Sequence, residues 1–310
     1  MAPSRSRSRP SPGPTTAEVV AAAFDRSVAQ LRLELPRVRR DEGAEAVHQA
    51  RVATRRLRSD LRTFRPVLER EWADALRTSV RPLTDLLGVV RDADVLDARL
   101  ARDQVWLASR HAPALAALRE RLGERRSAAW AELIARLATP DTEALLDVLV
   151  TAAVEPRVRP DLADRPAAET LLPLVAGPWR RLERAVRHLG PDPTDADLHS
   201  VRILAKRCRY AAEAADPATG GRARRFARAA AALQDRLGEW HDAVAAAEWL
   251  EAVAPELTGE HAFAAGLVAA AELDDAARRR AAWEPAWRRL AAPKRRRFLA
   301  DLAPGADGPC

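Results

Sequence analysis

Two stretches about 150 residues apart carry the same residues in the same helical phase, and this repeat limits the fold more than any other feature of the chain. "VHQARVATRRLRSDLRTF", Val47 to Phe64, lies on "LHSVRILAKRCRYAAEAA", Leu198 to Ala215. His48 then meets His199, Arg51 meets Arg202, Arg55 meets Lys206, Arg56 meets Arg207 and Arg58 meets Arg209. A second block follows each: "LTDLLGVVRDADVL" from Leu83 lies on "LQDRLGEWHDAVAA" from Leu233, pairing Gly88 with Gly238, Arg91 with His241 and Asp92 with Asp242. The offset changes by one residue between the blocks, so one long unit is repeated.

Both copies have helical period. Apolar or small residues fall at 47, 50, 54, 57, 61 and 64, a stripe that faces a core. Period-two alternation is rare and aromatics make up only 5% of the chain, which excludes a strand-built fold. Helices are predicted at roughly 16 to 39, 44 to 65, 68 to 103, 113 to 138 and 141 to 153. After a Pro-rich linker, "EPRVRPDLADRP" at 155 to 166, a second series follows at 167 to 189, 196 to 215, 218 to 253, 259 to 281 and 284 to 302. The expected architecture is all-α: two helical-bundle halves, 16–154 and 167–302, produced by internal duplication and related by an approximate two-fold axis. Residues 1–15, rich in Ser, Arg and Pro, are expected to be a disordered tail, and 303–310 a flexible C-terminal one.

The charge pattern narrows the function. Basic residues fall one position after the core stripe, at His48, Arg51, Arg55, Arg58 and Arg62, centred roughly 110° from it at about 100° per residue. The second copy places His199, Arg202, Lys206 and Arg209 beside Leu198, Val201, Ala205, Cys208, Ala212 and Ala215. Val52, Ile203 and Tyr210 bound the cations on the far side. Cations so closely spaced repel one another unless neutralised, and Asp60 and Glu213 are too few to do it locally. Asp85, Asp92, Asp235 and Asp242 on neighbouring helices are the alternative partners, which would make the stripes ordinary solvated faces. The same array occurring twice in one phase favours a binding surface for a repeating polyanion. Lys occurs only at 206 and 294, so Arg, whose planar fork grips phosphate, supplies nearly all the positive charge.

These segments closely resemble the CHAD family, the conserved histidine α-helical domain. The resemblance rests on "HQARVATRRLRSDLRTF", "LHSVRILAKRCRYAAEA", "LxxLLGxxRD" and "LQDxLGxxHD", and spans about 16 to 302. It implies two bundles around a basic central cavity or pore, binding of inorganic polyphosphate, and association with polyphosphate granules and their proteins. The family's motif residues fall on His48, Arg51, Arg55, Arg56 and Arg58, and on His199, Arg202, Lys206, Arg207 and Arg209. Arg62, at the end of the first stripe, and Arg91 and His241, paired by the repeat, complete the candidate polyphosphate-binding set. Two positions depart from the family pattern: Cys208 stands where Leu is usual, and Lys206 replaces a forked Arg by a point charge. Some members carry a triphosphate tunnel domain, but no strand-rich ExExK segment occurs here, so a stand-alone CHAD protein is expected.

Other chemistries fit less well. A metal at His48, His199 or His241 with Asp92 and Asp242 would sit among arginines that repel it, and Arg91 occupies the position of His241 in the first half. No Walker loop, GxGxxG or nucleophile elbow is present, so neither catalysis nor a cofactor is expected. Nucleic acid is the main competing partner, with a structural helical protein as a third reading; single-strand binders normally add exposed aromatic platforms. "WRRLAAPKRRRF", Trp287 to Phe298, and the Arg-rich tail could engage either polymer. Cys208 and Cys310 form no framework, and no apolar run suggests a signal or a membrane span, so a cytoplasmic location is expected.

Overall fold

The computed structural model describes residues 13–300 except 104–106, 108 and 220. Thirteen α-helices and three short 3₁₀ turns follow one another among the described residues, with no β-strand. The first helix, α1 (Thr16–Arg39), begins at a capping box. The Thr15 hydroxyl accepts from the Glu18 N–H at 3.2 Å, and the Glu18 carboxylate accepts from the Thr15 N–H at 2.8 Å. Gly43, at φ 90°, turns the chain into α2 (Ala44–Phe64).

The single helix expected over 68–103 is two, α3 (Arg70–Ser79) and α4 (Arg81–Asp103). Pro82 is the cause: it has no N–H to donate four residues back and its ring crowds that carbonyl, so the chain restarts with Pro in the first turn. α5 (Ala112–Leu137), α6 (Pro140–Val154) and the single turn α7 (Pro160–Ala163) lead to α8 (Ala167–Arg187). A second capping box, Thr194 with Asp197, opens α9 (Asp195–Ala215), followed by α10 (Arg222–Val253) and α11 (Gly259–Arg280). The helix expected over 284–302 is also divided, into α12 (Trp283–Ala291) and α13 (Pro293–Ala300), because Ala292 precedes Pro293 and is extended at ψ 132°.

Segment 155–166 is pinned at both ends. Around Val158, the Glu69 N–H donates to the Arg157 carbonyl and the Arg159 N–H to the Val67 carbonyl, each at 2.9 Å. Around Pro166, the Thr16 N–H donates to Arg165 and the Ala167 N–H to Pro14, again at 2.9 Å. The expected tail is therefore shorter than 1–15, since Pro14 and Thr15 belong to this tie; residues 1–12, 303–310 and Cys310 lie outside the described residues.

The main hydrophobic cluster runs through both series of helices, with Phe24, Leu57, Phe64, Leu87, Leu171, Leu182, Phe226, Leu233 and Leu290 among its members. A smaller cluster joins α4 and α5 to the far end of α10 and to α11 through Leu100, Leu115, Leu118, Leu250 and Val268. All six seam residues of α2 and all six of α9 are buried. With those seams inside, and α2 packed on α1, α4 and α9 while α9 packs on α8 and α10, the flanking cationic stripes are brought together where α2 meets α9.

Candidate functional site

The stripes of α2 and α9 share one cluster. Arg55 Nε donates to the Tyr210 hydroxyl at 3.2 Å, and the Arg56 guanidinium meets the Glu213 carboxylate at 2.7 Å. Glu213 also accepts from Arg209 Nε at 2.8 Å, while the Arg209 guanidinium lies 5.6 Å from the centre of the Tyr210 ring. Across to α4, Arg51 pairs with Asp92 at 2.7 Å and Arg58 with Asp85 at 3.8 Å.

In each half an arginine of the stripe runs past a glycine of the following helix. A Cβ on Gly88 of α4 would lie 3.9 Å from Arg51 Nε, and one on Gly238 of α10 would lie 3.9 Å from Arg202 Nε. Each guanidinium thus lies along the next helix at van der Waals distance from where a Cβ would be. The glycine of "LLG" before "RD" and that of "RLG" before "HD" thus face the paired arginines Arg51 and Arg202 in the same way.

Part of the stripe is neutralised, and Asp92 and Asp85, two of the acids considered as partners on neighbouring helices, take part in it. Arg51, Arg56, Arg58 and Arg209 hold carboxylates. Asp60 contributes little: its side chain is buried, and desolvation pushes its carboxyl up to about 7 despite Arg56 and Arg26 nearby. Arg55, Arg62, Arg91, Arg202, Lys206 and Arg207 have no carboxylate within ion-pair distance among the described residues. Buried Nε atoms of Arg58, Arg202 and Arg207 meet no hydrogen-bond acceptor.

Lys206 lies within this field. Burial lowers its ammonium to about 8, and Arg55, Arg202 and Arg51 push the same way. The histidines respond similarly. His241 falls to about 4 through burial, with Arg202, His199 and Lys206 adding repulsion, and burial with Arg91 lowers His48. The His199 and His241 rings lie against each other with centroids 5.0 Å apart and planes tilted by 56°. Each motif histidine is therefore met by the residue that the repeat pairs across the halves, Arg91 beside His48 and His241 beside His199. No group of three His, Cys, Asp or Glu able to hold a metal occurs among the described residues. Cys208 is core, and burial pushes its thiol up.

Three arginines escaped the sequence reading. Arg77 on α3, Arg81 at the start of α4 and Arg181 on α8 repel the Arg58 and Arg62 end of the stripe. In a chain this rich in Arg they carry no local signal, because only the tertiary fold brings them there.

A family model described as the CHAD domain matches residues 22–251, ending before α11 to α13, short of the 16 to 302 expected. The chain is 34% identical over 290 residues to an uncharacterized protein, Rv2226, of Mycobacterium tuberculosis strain ATCC 25618 / H37Rv, a match covering 88% of this chain and 53% of that one. An uncharacterized protein of strain CDC 1551 / Oshkosh matches to the same extent. The chain thus spans about half the length of these curated relatives. Among solved structures, the crystal structure of the CHAD domain from the plant Ricinus communis superposes with a TM-score of 0.72 at 26% identity, covering 94% of this chain and 97% of that one. PptA from Streptomyces chartreusis gives the same TM-score at 24% identity, over 89% of this chain and all of that one, and speaks to the fold alone. With the family model matched over both arginine helices, the chain belongs to the CHAD domain family.

Proposed function

We propose that this protein binds inorganic polyphosphate without chemical turnover, along the joined stripes of α2 and α9 that line a basic central cavity or pore between duplicated halves. We place it in the cytoplasm at polyphosphate granules, with granule-associated proteins as further partners. The observation that carries the reading is Lys206 set among Arg51, Arg55 and Arg202 with no carboxylate partner. Such a cluster repels itself until an anion arrives. Polyphosphate suits it, with about one negative charge per phosphoryl unit and no base to stack or read. Nucleic acid fits less well: Tyr210, the aromatic at the cluster, is 4% exposed and its hydroxyl is engaged by Arg55. No helix among the described residues is long and apolar enough to cross a membrane.

Histidine titration by NMR, with and without long-chain polyphosphate, tests both ligand and place. His241 is neutral at pH 7, with its pKa at about 4, below the ordinary value of about 6.5. The unfolded chain therefore binds more protons between those values, and the stability His241 contributes above pH 6.5 is lost as pH falls through 4. A polyanion beside the ring favours the imidazolium, so polyphosphate should raise the His241 pKa by about one unit or more, and binding should tighten from pH 7 to 5. An unshifted His241 with polyphosphate bound would place the polymer elsewhere.

A further inference from the structure

A second set of cations lies apart from the α2–α9 stripes, where α13 packs on the first turns of α10. Phe298 of α13 meets Phe226 of α10 edge to face at 5.6 Å, and Arg295 Nη1 donates to the Arg225 carbonyl at 3.5 Å. These contacts set the outer faces of the two helices side by side. Arg225 and Arg228 on α10, and Lys294 and Arg297 on α13, are exposed, and the i,i+3 spacing keeps each pair on one side of its helix. Glu183 is held by Arg296 and Arg187, and Asp216 by Arg224, so none of the four outer cations has a carboxylate within ion-pair distance among the described residues. The two cationic regions occupy different sides of α10. Gly238 and His241, which face Arg202 and His199, lie roughly 15–24 Å farther along the helix than Arg228 and Arg225, and about 140° around it.

We infer that this α10–α13 face is a second polyphosphate site, so that one copy of the protein joins two segments of polymer. The inference rests on the polyphosphate reading above, which supplies the first site. Closely set cations without a competing acid suit a phosphate chain. Bases would find little to stack on: Phe226 and Phe298 are buried, and Trp287 is itself stacked on Trp179 at 5.4 Å. An anionic bilayer would meet no apolar anchor, because the exposed large hydrophobic residues among the described ones, Leu33, Val89, Val148, Val154, Phe263 and Leu273, all lie outside α13 and the first turns of α10. A chain held on the stripes keeps the second face at high effective concentration near neighbouring chains, so bridging follows without tight binding at the outer site.

A capture experiment on the full chain tests this. Long-chain polyphosphate is fixed to beads, saturated with protein and washed, then offered fluorescently labelled long-chain polyphosphate. The unaltered protein should retain the second polymer. The variant with Arg225→Glu, Arg228→Glu, Lys294→Glu and Arg297→Glu should retain at least about tenfold less, while its affinity for polymer in solution, read by anisotropy, falls less than about fivefold. Its melting temperature should hold, because the four side chains are exposed and Arg225 meets Arg295 through its backbone carbonyl. Arg225→Gln with Lys294→Gln, which adds no negative charge, should lower capture in the same direction by a smaller factor. Undiminished capture in both variants overturns the inference, as does capture of labelled single-stranded RNA or of phosphatidylglycerol vesicles in preference to polyphosphate. If the unaltered protein binds polymer in solution but captures no second chain, only the outer site is lost; if it binds no polyphosphate at all, the functional reading falls as well.

Discussion

Reversing the charges of Arg55 and Lys206 together, as Arg55→Glu with Lys206→Glu, is expected to lower polyphosphate affinity at least about a thousandfold while leaving helical content intact. Each side chain donates to an anion through charge-assisted bonds worth about 1.5–3 kcal/mol, and each reversal also adds repulsion. The two lie in one cluster, so the single variants will not sum to the double. Folding should not suffer in proportion. Lys206 is held against Arg51, Arg55 and Arg202, and an acid there converts repulsion into attraction. The identifiable loss is the Arg55 bond to the Tyr210 hydroxyl, a neutral acceptor worth about 1 kcal/mol. Circular dichroism and thermal melts check the fold, and fluorescence anisotropy with labelled long-chain polymer checks binding. Undiminished binding would move the polymer to another surface, with Lys294 and the following arginines of α13 the first candidate.

Salt should have the second large effect, and its slope should count the free cations. A flexible single polyanion releases roughly 0.7 counterions per phosphate contact. If Arg55, Arg62, Arg91, Arg202, Lys206 and Arg207 each hold a phosphate, the slope of log K against log salt is about −4, a loss of roughly 300-fold between 50 and 200 mM. Arg51, Arg56, Arg58 and Arg209 are already compensated by Asp92, Glu213 and Asp85 and add little. A slope beyond about −6 would mean that these pairs open to admit the polymer. A slope near zero would contradict an electrostatic site.

The helical seams were legible in the sequence because period alone defines them: each seam position of α2 and α9 is buried. The cationic stripe followed from the same phase, one residue later. What neutralises it was not legible. Arg51 finds Asp92 41 positions away, and Arg56 finds Glu213 on the other arginine helix; helix packing decides these pairings, and spacing along the chain does not. Asp60 read as an acid on a basic helix, yet it is buried and its carboxyl titrates near neutrality. Arg77 and Arg181 looked like two more arginines among many. The breaks at Val80 and Ala292 stood beside visible prolines, but the apolar pattern continued through both, and the local backbone prevailed. The prolines of 155–166 marked a linker between the two helical series, and only the tertiary fold supplies the two ties that hold it.

The central claim is that α2 and α9 form a site for polyphosphate in particular. Competition tests it most directly: labelled long-chain polyphosphate is bound to the full chain at moderate salt, then challenged with single-stranded RNA at matched phosphate concentration. The account predicts that RNA fails to displace the polymer, that unlabelled polyphosphate does displace it, and that the polymer is recovered at its original length. Equal displacement by RNA would contradict it, leaving a basic surface with no preference for its polyanion.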